Sequence, residues 1–267
     1  MAAIDPVESR RRRIADFATW CVDSGRGSVR PWLRRPVTAL RVVADARRLP
    51  VLDARLSTSR EADLIRRGLT RTRRTFTAVD SLAGVLALPT TLEGYVQTPA
   101  RRPVRRKVRV AHRVPVTWRP VSDEAERRAL LELADARERI HPDEQYRHEV
   151  PDLGDLLDVR LWLVAEGPEG ALMLVVIPVD GEWATLRYFR TLVDGDAASV
   201  ARYLMTEVLV GQLIERGVRH LADTESPFVL PNGLRHFQRM VGFELYRVRL
   251  RPGAASEAPV ASPYSVA

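Results

Sequence analysis

The chain is poor in two reactive side chains: its 267 residues include one cysteine, Cys21, and one lysine, Lys107. A lone cysteine excludes an internal disulfide framework, a cysteine-based zinc site and a CxxC redox pair. The near absence of lysine among 42 basic residues is a bias that a high-GC coding sequence produces, so the arginine count alone is a weak functional signal. No run approaches the ~20 apolar residues of a membrane span; the longest, 171–179, is interrupted by Pro178. The opening MAAIDPVESRRRRIADF is basic but has no apolar stretch of signal-peptide length behind it. These absences lead to the expectation of a cytoplasmic protein without a membrane span. No internal repeat is visible. Hydrophobic residues at 45% exclude global disorder.

What is present is divided unevenly. Residues 1–120 carry 26 basic and 10 acidic side chains, a net of +16, and residues 121–267 carry 16 basic and 24 acidic, a net of −8. Such asymmetry suggests two regions with different tasks, and a polyanion as a partner of the first. The densest basic stretch is Arg101, Arg102, Arg105, Arg106, Lys107, Arg109 and Arg113. It reads as a solvated helix face, as a grip on a phosphorylated cofactor or tRNA, or as a nonspecific nucleic-acid patch. The nearest aromatics are Tyr95 and Trp118, so no stacking motif accompanies it.

In the first third, Ile14, Phe17, Ala18 and Cys21 fall on one helical face ended by Gly25 and Gly27. A second helix is predicted at 37–47, a strand at 51–56, a helix at 61–69 and a strand at 75–79. A short helix follows Pro89, with Thr90 or Thr91 as its cap. From residue 114 the pattern sharpens. A strand at 114–121 leads through a Ser122-Asp123 cap into a helix to about 140, with Leu130, Leu133 and Ala134 inward. After the polar connector HPDEQYRHEVPDLGD come strands at 159–165, 171–179 and 182–192, joined by Gly-Pro-Glu-Gly and Asp-Gly turns. A long helix at 197–216, a strand at 218–222, a helix at 231–240 and a strand at 243–251 complete the order. The tail 252–267, rich in Ala, Ser and Pro, is expected to be disordered. Trp118, Trp162 and Trp183 are expected as core or cleft walls. His141 and His148 flank DEQYR but lack a clear third metal ligand.

The run EWATLRYFRTLVDGDAASVARYLMTEVLVGQLIERGVRHL and the ending NGLRHFQRMVGFELYRVRL resemble the GNAT superfamily of acyl-CoA-dependent N-acyltransferases, over roughly residues 114–251. The preceding LEGYV, VRRKVRVAHR and VTWRPVSDEAERRALLEL also look like Fem-type aminoacyl transferases and related two-lobed acyltransferases. The resemblance implies an α/β (α+β) fold: a mixed, mostly antiparallel sheet flanked by helices at 114–251, after a basic and degenerate GNAT-like lobe at 1–113.

It also implies a site. The strand at 182–192 would splay from its neighbour and pair with a pantetheine arm. The next helix N-terminus would take the pyrophosphate at Leu192, Val193, Gly195, Ala198 and Ser199, with Arg202 further along and Asn232 and Phe237 from the terminal helix. Two departures stand out. The VDGDAAS loop has one glycine where the family uses more, and Asp194 and Asp196 sit where phosphate would approach; helix capping is the other reading of these two. Phe237 also stands where a tyrosine acid is common. Asp223 and Glu225, just past a short strand, are the base candidates.

The resulting expectation is an acyl-CoA-dependent N-acyltransferase. Acetyl-CoA or another acyl-CoA would be the co-substrate, an amine-bearing small molecule or peptide the acceptor, and no metal is needed. The variants are a Fem-type enzyme using charged tRNA at Arg101–Arg113, and a non-catalytic binding protein whose basic lobe holds nucleic acid or another anion.

Overall fold

The computed structural model describes residues 5–25, 30–73 and 81–253. The expected strand at 75–79, Gly27 and the tail from 254 lie outside the described residues. Helix α1 (Pro6–Asp23) starts where the Asp5 side chain accepts from the Val7 N–H at 2.8 Å. It packs Ile14, Phe17, Ala18 and Cys21 onto α3 (Pro36–Arg47), which follows the short α2 (Arg30–Arg34). Strand β1 (Val51–Leu56) and helix α4 (Arg60–Arg73) come next.

Strand β2 (Ser81–Ala87) was not expected from the sequence. Its residues SLAGVLA are buried on both faces, so no polar alternation marks them. Leu82 meets α1 and α3, while Ala83 and Val85 meet α4.

Two short helices, α5 (Leu92–Val96) and α6 (Arg102–Ala111), lead to β3 (Thr117–Pro120) and α7 (Glu124–Arg139). The expected caps are in place: Thr91 accepts from the Gly94 N–H at 3.1 Å, and Asp123 accepts from the Glu126 N–H at 2.8 Å. Strands β4 (Leu161–Gly167), β5 (Gly170–Ile177), β6 (Val179–Asp180), β7 (Trp183–Leu186) and β8 (Tyr188–Thr191) precede α8 (Asp196–Glu215). Strand β9 (His220–Asp223), helix α9 (Asn232–Val241) and strand β10 (Glu244–Pro252) finish the chain's described part.

The strands form two sheets. One has the order β3-β4-β5-β8 and is antiparallel throughout. Leu161, Leu163, Met173 and Val175 face α8, while Trp162, Val164, Leu174 and Val176 face α7. The other has the order β1-β10-β2-β9-β7-β6. It is mixed: β1 with β10 and β7 with β9 are parallel, and the remaining pairs are antiparallel. The fold class is therefore α+β, with mixed and mostly antiparallel sheets flanked by helices. The expected break at 113/114 is not a break in the sheet, because β2 lies between β10 and β9 and β1 pairs with β10.

Two details depart from expectation. Trp118 is 40% exposed, whereas Trp162 and Trp183 are buried. On α7 the inward stripe is Leu130, Ala134 and Glu138, and Leu133 points to solvent. Glu138 is tolerated inside because Arg190 lies 3.4 Å from its carboxylate.

Candidate active site where the two sheets part

One hairpin belongs to both sheets. Its first arm passes from β5 into β6 at Pro178, and its second passes from β7 into β8 at Arg187. The register between the arms slips by one residue there, from Val176 opposite Tyr188 to Val179 opposite Ala184. Proline cannot donate to a ladder, and a bulge of this kind bends the strand that carries it. The consequence is a fork. Strand β7 runs parallel to β9 as far as the pair Leu186 and Asp223, after which β8 follows β5 and leaves β9 behind.

A cavity of about 550 Å³ fills the fork. It is lined by Leu186 to Arg190 on one side and by Asp223 to Ser226 on the other, with Glu138, His148 and Asp152 from α7 and the connector. Arg202, Leu234, Phe237 and Gln238 complete the wall from α8 and α9.

Asp223 sits buried at the end of β9. Its Oδ1 accepts the Glu225 backbone N–H at 2.8 Å, and its Oδ2 accepts from the Gln238 side-chain amide. Burial nevertheless dominates and pushes this carboxyl up to about 7. The Glu225 charge adds to the rise, while the two hydrogen bonds and Arg190 oppose it. Across the fork, the Tyr188 hydroxyl is buried beside the Glu138 carboxylate. Burial, then the Glu138 carboxylate, hold its pKa above the usual phenol value. Arg187 is held by Asp155 at 2.6 Å. The Arg202 guanidinium lies 5.8 Å from the Phe237 ring centroid, its Nε is unpartnered, and burial lowers its pKa. The cavity thus holds a carboxyl poised near neutrality, a phenol that keeps its proton and half-buried arginines. Groups of this kind, brought together, can take up and give protons.

Strand β8 also offers backbone. Leu192 N–H donates to Leu172 O at 2.8 Å. Antiparallel pairing alternates, so with this register the Phe189 and Thr191 amides face away from β5. Among the described residues β8 has no other strand neighbour.

Of the residues singled out from the sequence, Asp223, Glu225, Arg202 and Phe237 meet in this cavity. The others lie elsewhere. Leu192 and Ala198 are buried in the cores around α7 and α8, and Val193, Gly195 and Ser199 are exposed at the start of α8. Asn232 donates to Asp23 at 2.8 Å and so ties α9 to α1. Helix α8 is capped by Gly195, at φ +111°, without a side-chain bond, so neither aspartate is its cap. Asp194 pairs instead with Arg137 of α7. A pyrophosphate there would meet two carboxylates, and the residues present do not fit one. Arg190, Glu138 and Gln238 were not expected at the site, whereas Tyr188 was expected as core or as a proton donor, and it is a buried part of the cavity wall. The visible signal was a tyrosine and an arginine at alternate positions of an otherwise apolar strand.

The basic stretch folds as α6, with Val104, Val108 and Ala111 inward. Val104 and Val108 pack on Phe237 and Val241 of α9, and Lys107 Nζ lies 5.8 Å from the ring centroid of Tyr203. Tyr203 in turn meets Phe237 edge-on at 5.6 Å. Arg102, Arg106, Lys107, Arg109 and Arg113 are exposed, with no acidic partner among the described residues. Arg101 and Arg105 are spent on backbone oxygens, Arg101 on Met240 and Arg105 on Val96 and Thr98. One wall of the cavity is therefore backed by a bare basic helix. Among the described residues no group of three or more His, Cys, Asp or Glu side chains is arranged to hold a metal.

No protein-family model matches the chain, and no curated protein matches it. Among solved structures, it is similar to the C-terminal domain of an Agrobacterium fabrum protein named as a lysylphosphatidylglycerol synthetase. That similarity has a TM-score of 0.46 at 12% identity, over 62% of this chain and 57% of the other. It is also similar to L-PGS from Bacillus licheniformis, with a TM-score of 0.45 at 15% identity, over 62% and 59%. The similarity thus spans less than two thirds of either neighbour. No helix among the described residues is long and apolar enough to cross a membrane.

Proposed function

We propose that the chain is an acyltransferase whose donor is carried on RNA, the Fem-type variant, with the fork between β8 and β9 as its reaction site. The observation that carries this reading is Asp223, a buried carboxyl titrating near neutrality at the point where two parallel strands part. At pH 7 about half of such groups are ionised and able to take a proton. The acceptor amine gives a proton to Asp223 and attacks the acyl carbon; the new C–N bond forms as the ester C–O bond breaks. The outward amide of Phe189 supplies a donor for the oxyanion. The departing oxygen takes its proton from the Tyr188 hydroxyl, and the proton held by Asp223 returns to the phenolate through water in the cavity.

The choice of donor rests on charge. Phosphate at the α8 N-terminus would meet Asp194 and Asp196, whereas α6 offers unpaired arginines one helix away from Phe237. A second reading, an acyl-CoA donor, is favoured by the free edge of β8, which can pair with a pantetheine arm.

Thermal denaturation separates the two. Charged acceptor-stem RNA is expected to raise the melting temperature, with an effect that fades as salt rises. Acetyl-CoA at millimolar concentration is expected to leave it unchanged. A shift with acetyl-CoA alone would transfer the donor role to CoA. A shift with RNA but no transfer by any charged species would mean a binding protein.

A further inference from the structure

Helix α3 buries Ala39, Val42 and Ala46 and turns a second apolar strip to solvent. On that outer side Val37 is 61% exposed and Leu40 71%, with Ala44 one turn on, and Leu33 at the end of α2 is 75% exposed. Around them Arg34, Arg41, Arg47 and Arg48 are exposed and make no ion pair among the described residues. The single acid of residues 30–48 is Asp45, which is buried and bonded to Arg13 at 2.8 and 2.9 Å. The outward charge of this surface is wholly positive.

We infer that the α2–α3 surface docks on an anionic lipid bilayer. A second copy of the chain, meeting the same surface, would set arginine against arginine around a small apolar centre. A polynucleotide would suit the arginines but leave three aliphatic side chains in water, and the one aromatic of the segment, Trp32, is turned inward onto Phe17 and Phe228. An anionic bilayer takes both features: the aliphatic side chains enter the acyl boundary and the guanidinium groups meet headgroup phosphates. The surface is joined to the site by contact: the Trp32 ring centroid lies 5.2 Å from that of Phe228, in the loop whose Ser226, Val229 and Leu230 wall the cavity. This inference does not depend on the acyl-transfer reading.

The test is flotation of the full chain with vesicles of phosphatidylcholine plus phosphatidylserine, and with phosphatidylcholine alone. Wild type is expected to float with the anionic vesicles and to stay behind with the neutral ones. Val37→Asp with Leu40→Asp should cut the bound fraction ~tenfold or more. Arg34→Glu with Arg41→Glu should cost roughly fivefold per arginine. All four positions are exposed, so circular dichroism and melting temperature should not move. The inference is overturned if wild type ignores anionic vesicles or if the aspartate variant floats equally well. It is equally overturned if that variant turns a wild-type dimer into a monomer in sedimentation, or abolishes binding to RNA while lipid binding persists.

Discussion

The start of α8 and the outer face of α6 are the two helix surfaces near the fork at which an anionic group would be expected, and they carry opposite charge. At α8, Asp194 and Asp196 stand among the free N–H groups, and the nearby Arg137 is taken up by Asp194. At α6, five cationic side chains project with no acidic partner among the described residues. Both helices run beside the same cavity, since Arg202 of α8 lines it and Val104 and Val108 of α6 pack behind Phe237. A helix N-terminus attracts phosphate by roughly half a unit charge. Two carboxylates cancel that attraction, so position in a fold does not by itself make a phosphate site. On the proposed reading, it is α6 rather than the start of α8 that would meet the donor's phosphates.

The sharpest way to break this picture is at Asp223, against which both surfaces are to be judged. Asp223→Asn is expected to lower single-turnover transfer by ~10²–10⁴-fold. It should also stabilise the fold at alkaline pH. The folded carboxyl keeps its proton to about pH 7, whereas the unfolded one loses it in the ordinary carboxylate range. Wild-type stability therefore falls as pH rises from about 4 to about 7. The asparagine variant should escape that loss, a difference of up to about 4 kcal/mol at pH 8 and close to zero at pH 4, read by denaturant titration. A variant that keeps the wild-type rate would remove the fork from the reaction.

Next in size is the charge of α6. Arg106→Glu with Arg109→Glu and Arg113→Glu should weaken RNA binding ~10²-fold or more and flatten its salt dependence by about 0.7–0.9 in log–log slope per lost phosphate contact. An unchanged slope would return α6 to the role of a solvated face. Tyr188→Phe should reduce kcat ~10- to 100-fold with little change in KM. The smallest effect belongs to the start of α8. Asp194→Asn with Asp196→Asn should change stability by less than about 1 kcal/mol, as Asp194 is mostly exposed, and should leave donor affinity unaltered. A marked gain in CoA affinity in that variant would reverse the comparison.

The two regions also differ in how far the sequence announced them. The order from β3 to β10 was readable because β4 and β5 are unbroken apolar runs closed by glycine turns, and because α8 and α9 end at Gly217 and Gly242. At Gly242, φ is +101° and the Arg101 guanidinium lies where a Cβ would stand. Strand β2 was hidden for the opposite reason. Ser81–Ala87 is small, buried on both faces and paired with β9 and β10, which lie more than 130 residues away in the chain. No local pattern encodes such a partner, and the same long-range pairing blurs the division at 113/114.

In the site, Asp223 and Glu225 were legible because polar residues just past a short buried strand mark an opening. Arg190 and Glu138 were not, because each is meaningful only through the other: Glu138 reads as part of a solvated helix face until Arg190 is placed 3.4 Å from it. The reading of the α8 N-terminus as a phosphate loop placed the cofactor by analogy, and the pairing of Asp194 with Arg137 is what the analogy lacked.

The most direct measurement is single-turnover transfer from a pool of radiolabelled aminoacyl-tRNAs to a panel of small alkyl amines, by wild type and Asp223→Asn, with labelled acetyl-CoA run in parallel. Transfer from one or more charged tRNAs that follows an apparent pKa near 7, is lost in the asparagine variant and is absent with acetyl-CoA is the predicted result. Transfer from acetyl-CoA alone, or an asparagine variant that transfers as fast as wild type, would contradict it.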